Sequence, residues 1–190
     1  MAKIGIIGGG SWGTALAILL ANKNNEVHIW VRNELQLKQM KELRENKKYL
    51  PGAFIPDKID ITNDISRVIY NKELIVLAVA SYGIRESLNN CKKDFNKEQV
   101  IVNVAKGIEN DTLLRISEIV EEILPNNPYA VLSGPSHAEE VAKNIPTTVV
   151  SASADKAVAK YVQDIFMSPY FRVYTNPDIL GVELGGSLKN

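Results

Sequence analysis

Along most of this chain, short apolar runs alternate with longer stretches of helical spacing. The runs at 4–7, 27–31, 74–79, 100–104 and 129–132 are mostly apolar and lack a strict in/out alternation. Such runs suit strands buried on both faces of a sheet. Between them, segments 12–22, 34–45, 82–90 and 112–123 carry apolar residues at helical spacing, and Asp111 is placed to cap the last of these. This alternation predicts an α/β fold: a doubly wound, mostly parallel sheet with helices on both faces. A further unit follows, with strands at 147–151 and 171–174 flanking a helix at 154–166.

Two regions break the rhythm. Segment 46–60, with Pro51-Gly52 and Pro56, reads as an irregular surface loop. The last residues, DILGVELGGSLKN from Asp178, have helical apolar spacing but end without a stop signal. The Gly185-Gly186 pair inside them asks for packing partners that the chain does not supply. The expected organisation is a nucleotide-binding domain over 1–176 and, over 177–190, the start of a helical second domain that is largely absent.

Composition narrows the class. At 190 residues with 45% hydrophobic and 23% charged residues, the chain can bury one substantial core. Its formal net charge is zero, so no global basic excess concentrates nucleic acid or anionic membrane. The one cysteine, Cys91, cannot form an intrachain disulfide, which points to a reducing compartment. No apolar run approaches the ~18 residues of a membrane span. A soluble, cytoplasmic protein is expected, with no nucleic-acid partner and no membrane span; a homodimer stays open.

The chemistry begins at Gly8-Gly9-Gly10-Ser11-Trp12-Gly13, a G-x-G-x-x-G pattern between an apolar strand and a helix. In that context Gly8 permits a tight turn, Gly10 lets a pyrophosphate approach the backbone, and Gly13 lets the helix pack on the strand. The helix N-terminus offers N–H groups to the anion. The fold class is accordingly Rossmann-like, and the cofactor a dinucleotide. An NAD site usually ends its second strand on a carboxylate, but here Arg32 stands in the exit loop and the first carboxylate is Glu34. A guanidinium suits a 2′-phosphate, so NADP is favoured over NAD; the alternative is a solvated arginine.

Two further groups face the same end of the predicted sheet, and a third stands at the end of the chain. Lys106 follows a buried strand directly, in NVAKGIE, where it can hold a phosphate or a carbonyl oxygen or simply be exposed. In LSGPSHAEEVA, the turn at Gly134 and Ser136 brings N–H groups and a hydroxyl forward; alternatively Ser136 caps the next helix, with Glu139 completing a capping box. His137 has no evident partner, and with His28 in mid-strand there is no support for a metal site. Lys189 and Asn190 could protonate and polarise a ketone, though a terminal lysine is more often merely exposed.

Taken together, GGGSWGTALA, NVAKGIE, LSGPSHAEEVA and GVELGGSLKN resemble the bacterial NAD(P)-dependent glycerol-3-phosphate dehydrogenase family, in matching order from Ile4 to Asn190. The resemblance implies reduction of dihydroxyacetone phosphate to glycerol 3-phosphate by NADPH or NADH, feeding phospholipid synthesis. It implies cofactor contacts at Ser11, Trp12, Arg32, Tyr49 and Ala138, and contacts to both cofactor and substrate at Lys106. Gly134 and Ser136 would contact substrate, Lys189 would be the acid/base, and Asn190 lies beside it. A free lysine titrates near ~10.4, so burial and the neighbouring Lys106 cation would have to lower Lys189. Family members are longer, and the arginine loop that clamps substrate phosphate lies in the part this chain lacks. A chain ending at Asn190 is therefore expected to bind dinucleotide but to turn over poorly. Three positions depart from the family pattern: His137 for phenylalanine, Ala80 for proline and Asn33 for a basic residue. The alternatives are another two-domain NADP-linked reductase, and a non-catalytic dinucleotide sensor, which would need neither Lys106 nor Lys189.

Overall fold

In a computed structural model, which describes residues 1–189, an eight-stranded sheet forms the centre of the molecule. Its first half follows the predicted order: β1 (Lys3–Ile7), α1 (Ser11–Asn22), β2 (Glu26–Trp30) and α2 (Glu34–Leu43). The segment read as an irregular loop is more ordered than expected. It holds an antiparallel hairpin, β3 (Glu45–Asn46) with β4 (Leu50–Phe54), and then β5 (Asp60–Thr62), the edge strand beside β2. Three-residue strands and a hairpin carrying Pro51-Gly52 leave little periodicity to read. A short helix, α3 (Ile65–Ile69), also escapes the pattern; Asp64 caps it by accepting from Arg67 N at 3.2 Å.

The chain then returns to the sheet centre with β6 (Leu74–Leu77), α4 (Ile84–Cys91), β7 (Val100–Asn103), α5 (Ile116–Ile123) and β8 (Tyr129–Ser133). Helix α5 starts four residues later than the predicted 112, and Asp111 does not cap it. Instead the Glu118 carboxylate accepts from Arg115 N at 2.8 Å. The last elements are α6 (Ala138–Ala142), β9 (Thr147–Ala152), α7 (Lys156–Phe166), β10 (Phe171–Asn176) and α8 (Ile179–Leu188).

Strand order is β10-β9-β8-β7-β6-β1-β2-β5, and every pair is parallel except β8 with β9. Alternate residues of each inner strand feed two cores. Ile4, Ile6, Leu74, Val76, Val102 and Leu132 pack on one face, with Leu16 and Leu20 of α1 and Val162 and Phe166 of α7. Ile7, Ile75, Leu77 and Ile101 pack on the other, with Val68 of α3, Ile84 and Leu88 of α4, and Ile119 of α5. Burial on both faces is the reason these strands read as unbroken apolar runs.

Helix α8 lies against β8, on the α5 side. The partner that its glycines were expected to lack is present for one of them. A Cβ on Gly186 would stand 2.6 Å from Ser133 Oγ, so the helix comes close enough here that a side chain would have to turn the Ser133 hydroxyl aside. The opposite face of α8 leaves Leu180, Leu184 and Leu188 exposed. Among the described residues no helix is long and apolar enough to cross a membrane.

Candidate functional site

From β1 the chain runs outward through β2 to β5, and from β6 it runs the other way through β7 to β8. Loops leaving β1 and β6 therefore diverge and open a crevice beyond the strand ends, the usual place for a ligand in such sheets. Two cavities fill that crevice and share Ala78, Val79 and Ala80 after β6. One, of about 300 Å³, is lined by the glycine turn, Arg32, Asn33 and Tyr49. The other, of about 380 Å³, is lined by Ser11, Trp12, Lys106, Ser136, His137 and Ala138. A larger cleft of about 480 Å³, around Lys72, Gln99 and Tyr161, lies at the opposite ends of the strands and holds none of the residues singled out by the sequence.

The glycine turn is built by close approach. Gly8 has φ +129°, and a Cβ there would stand 2.6 Å from the Ala78 carbonyl of β6's exit loop. A Cβ on Gly13 would lie 1.9 Å from Gly8 O, so glycine is what lets α1 sit on the turn. Gly10 differs: nothing stands within 4 Å of its added Cβ, and its backbone is ordinary at φ −77°, ψ −173°. Space rather than strain distinguishes that position. Gly10 is also the N-cap of α1, where no side chain makes a capping bond and no acidic residue occupies the first turn. The first-turn N–H groups and the positive end of a twelve-residue helix thus face the crevice.

Residues the sequence did not single out hold this turn from behind. Buried Asn46, from β3, donates to Gly9 O at 3.0 Å and to Thr14 Oγ1 at 2.8 Å. Gln36 of α2 donates to Gly9 O as well, and Thr14 Oγ1 donates to Gly10 O at 2.8 Å. The hairpin taken for a loose loop is therefore a buttress for the glycine turn. No local pattern marks Asn46, because its partners lie 32 and 37 residues away.

Arg32 is exposed at the rim of the first cavity, with Asn33 capping α2 by accepting from Gln36 N at 2.9 Å. Among the described residues no carboxylate lines that cavity. Tyr49, half exposed, lies across from Arg32, with the Lys48 ammonium 4.9 Å from its ring centre.

At the other end of the crevice, three predicted residues come together. Lys106 Nζ donates to Ser136 O at 3.1 Å and to Ser136 Oγ at 3.3 Å, and Lys189 Nζ donates to the same Ser136 O at 3.2 Å. Residues separated by up to 83 positions thus bring two ammonium groups onto one carbonyl. Burial first, and then the Lys189 cation, lower the Lys106 ammonium from 10.5 to about 8. Its Nζ also stands 5.8 Å from the ring centre of Trp12, whose buried indole N–H has no hydrogen-bond partner among the described residues.

Ser136 does not cap α6. His137 is the N-cap residue, no side chain bonds there, and Ser136 instead closes its own turn by donating from N to Gly134 O at 2.9 Å. Gly134 sits against β9, where a Cβ would stand 2.7 Å from Thr148 O. His137 is exposed, and Ala138 opens α6 toward the second cavity. Asn190 lies outside the described residues. The loop after Lys106 is held by Arg85 of α4, which donates to Glu109 at 2.8 Å and to Glu122 at 2.5 Å.

Residues 3–159 match the model of the NAD-dependent glycerol-3-phosphate dehydrogenase N-terminus. All of the chain aligns with glycerol-3-phosphate dehydrogenase [NAD(P)+] of Clostridium acetobutylicum at 51% identity and with that of Syntrophomonas wolfei at 48%. It covers 57% and 56% of those relatives, so it spans little more than half their length. The crystal structure of glycerol-3-phosphate dehydrogenase from Coxiella burnetii superposes with a TM-score of 0.94 at 34% identity, over 99% of this chain and 57% of that one. The chain belongs to the NAD-dependent glycerol-3-phosphate dehydrogenase N-terminal family.

Proposed function

We propose that this chain is the cofactor-binding part of an NAD(P)-dependent glycerol-3-phosphate dehydrogenase, which interconverts dihydroxyacetone phosphate and sn-glycerol 3-phosphate. Residues 1–176 make the dinucleotide-binding unit and 177–190 begin a helical substrate unit. The observation that carries the reading is the convergence of Lys106 and Lys189 on Ser136 O at the end of a crevice whose other end is the glycine turn. A dinucleotide sensor would need the turn but not the paired lysines.

The residues present fit a dinucleotide. The open space at Gly10 and the uncapped first turn of α1, at Ser11 and Trp12, receive the pyrophosphate. Arg32 and Tyr49 take the adenosine end, and the absence of a carboxylate in that cavity favours a 2′-phosphate, hence NADPH over NADH. Ala138, at the start of α6, flanks the nicotinamide end. When bound, the reduced nicotinamide supplies the hydride.

The chain's own residues do the rest. Gly134 and Ser136 line the substrate side, and Asn190, outside the described residues, is proposed as a further substrate contact. Lys189 delivers a proton to the C2 oxygen as negative charge develops there, and Lys106 stabilises that charge from the second side. A Lys106 ammonium lowered to about 8 is still mostly protonated near neutrality and gives up its proton more readily than a surface lysine. In the complete enzyme, NADPH oxidation should depend on dihydroxyacetone phosphate, and Lys189→Ala should lower kcat by at least 10²-fold. Turnover that survives Lys189→Ala would remove Lys189 as acid/base; no oxidation by the unaltered enzyme would remove the substrate assignment and leave the fold standing.

A further inference from the structure

We propose that Glu183 is a positioning residue: by fixing the register of α8 against α5 and β8 it sets the Lys189 ammonium on the Ser136 carbonyl beside Lys106. The inference rests on the reading of Lys189 given above, and it extends that reading to a residue outside the crevice.

Glu183 is the one charged residue in α8, whose sequence is ILGVELGGSL, and it is only 6% exposed. A lone buried carboxylate in an otherwise uncharged helix needs hydrogen-bond donors. It has them on both oxygens. Oε1 accepts from Ser117 N at 2.9 Å and from Tyr129 OH at 2.7 Å. Oε2 accepts from Ser117 Oγ at 2.6 Å and from Arg115 Nη1 at 3.3 Å. Ser117 N belongs to the first turn of α5, where a negative charge is favoured. Tyr129 is the first residue of β8, so the carboxylate ties α8 to both neighbours at once.

The geometry of α8 transmits this placement. Residues three apart share a helix face, and 183, 186 and 189 form one such line. Glu183 anchors it, Gly186 lies in close contact with Ser133, and Lys189 reaches Ser136 O at 3.2 Å. Six residues carry the chain ~9 Å along the axis, from the anchor to the crevice. Leu180, Leu184 and Leu188 lie on the opposite face and are exposed in this chain, so here they do not set the register. Directional bonds to a carboxylate do, since a slide of one residue breaks all of them.

Glutamine cannot replace it. Whichever way the amide turns, its NH₂ faces either the Ser117 N–H or the Arg115 guanidinium, and neither can accept. The test uses the 190-residue chain and needs neither substrate nor cofactor: the titration midpoint of Lys106, read from its side-chain NMR resonances. Lys189→Met should raise that midpoint from about 8 toward 10.5, because one cause of the depression is removed. Glu183→Gln should raise it too, and the double variant should go no further than Lys189→Met alone. An unchanged midpoint in folded Glu183→Gln overturns the proposal. So does an equal rise from Glu183→Gln in the Lys189→Met background, which would mean that the helix has merely loosened. Should Glu183→Gln not fold, Tyr129→Phe runs the same cycle with a smaller shift, since it deletes one bond and keeps the ring. Failure of the catalytic reading appears elsewhere, as turnover that survives Lys189→Ala in the complete enzyme.

Discussion

Adding one methyl group at Gly10 and, separately, at Gly13 should give opposite results, although the two glycines belong to the same motif. At Gly13 the new Cβ would lie 1.9 Å from Gly8 O and must retreat by about 1 Å to reach the 3.0 Å that real contacts respect. The obstacle is a backbone carbonyl, itself pinned because Gly8 is wedged against Ala78, so α1 must lift off the turn. Overpacking of this kind costs about 3 kcal/mol, at the upper end of its usual range, which lowers Tm by about 6–12 °C in a domain of this size. At Gly10 the methyl meets nothing within 4 Å, and φ −77°, ψ −173° suits alanine. Loss of backbone freedom in the unfolded chain and the poorer N-cap roughly cancel, leaving stability within about 0.5 kcal/mol. The methyl occupies the space proposed above for the pyrophosphate, and on that proposal NADPH should bind about ten- to a hundredfold more weakly. Urea or thermal unfolding without nucleotide gives the first quantity. NADPH titration followed by the fluorescence of Trp12 and Trp30, which line the crevice, gives the second. A Gly10→Ala chain that binds NADPH like the unaltered one would refute the phosphate placement, and a Gly13→Ala chain of unchanged Tm would refute the packing argument.

Arg32→Ala should weaken NADPH by about tenfold, the loss of one charge-assisted contact, and leave NADH nearly unchanged; equal losses in paired titrations would exclude a 2′-phosphate role. Lys106→Met should show the opposite sign for stability and for binding. The folded pKa of about 8 lies below the unfolded 10.5, so the unfolded chain binds more protons between those values and stability rises with pH across that window. Below about pH 8 the charged, partly buried ammonium is a burden that methionine removes. Urea unfolding should therefore find Lys106→Met more stable than the unaltered chain at pH 7, with the gap closing from about pH 8 toward 10.5, while its affinity for NADPH falls. A gap that widens with pH would mean that the folded Lys106 is not depressed.

The glycine turn, the strand–helix alternation and the place of the crevice were legible in the sequence, because each depends on neighbours in the chain; Lys189 entered only through the family resemblance. Apolar runs without alternation announce strands covered on both faces, and glycines at fixed spacing between a strand and a helix announce a turn that needs small residues. Arg32 could be read for the same reason, being the first residue but one after β2. Only the tertiary structure decided what stabilises these features. Asn46 holds the glycine turn from a hairpin 37 residues away, the β8–β9 pairing runs against the rest of the sheet, and Ser136 closes its own turn and receives two lysines instead of capping α6. Glu183 left a trace, a single charge in an apolar helix, but its four donors come from three residues at sequence separations of 54 to 68. Local pattern reports which face of an element is apolar; where a lone polar group finds its partner depends on how the elements dock, and no periodicity in the chain encodes that.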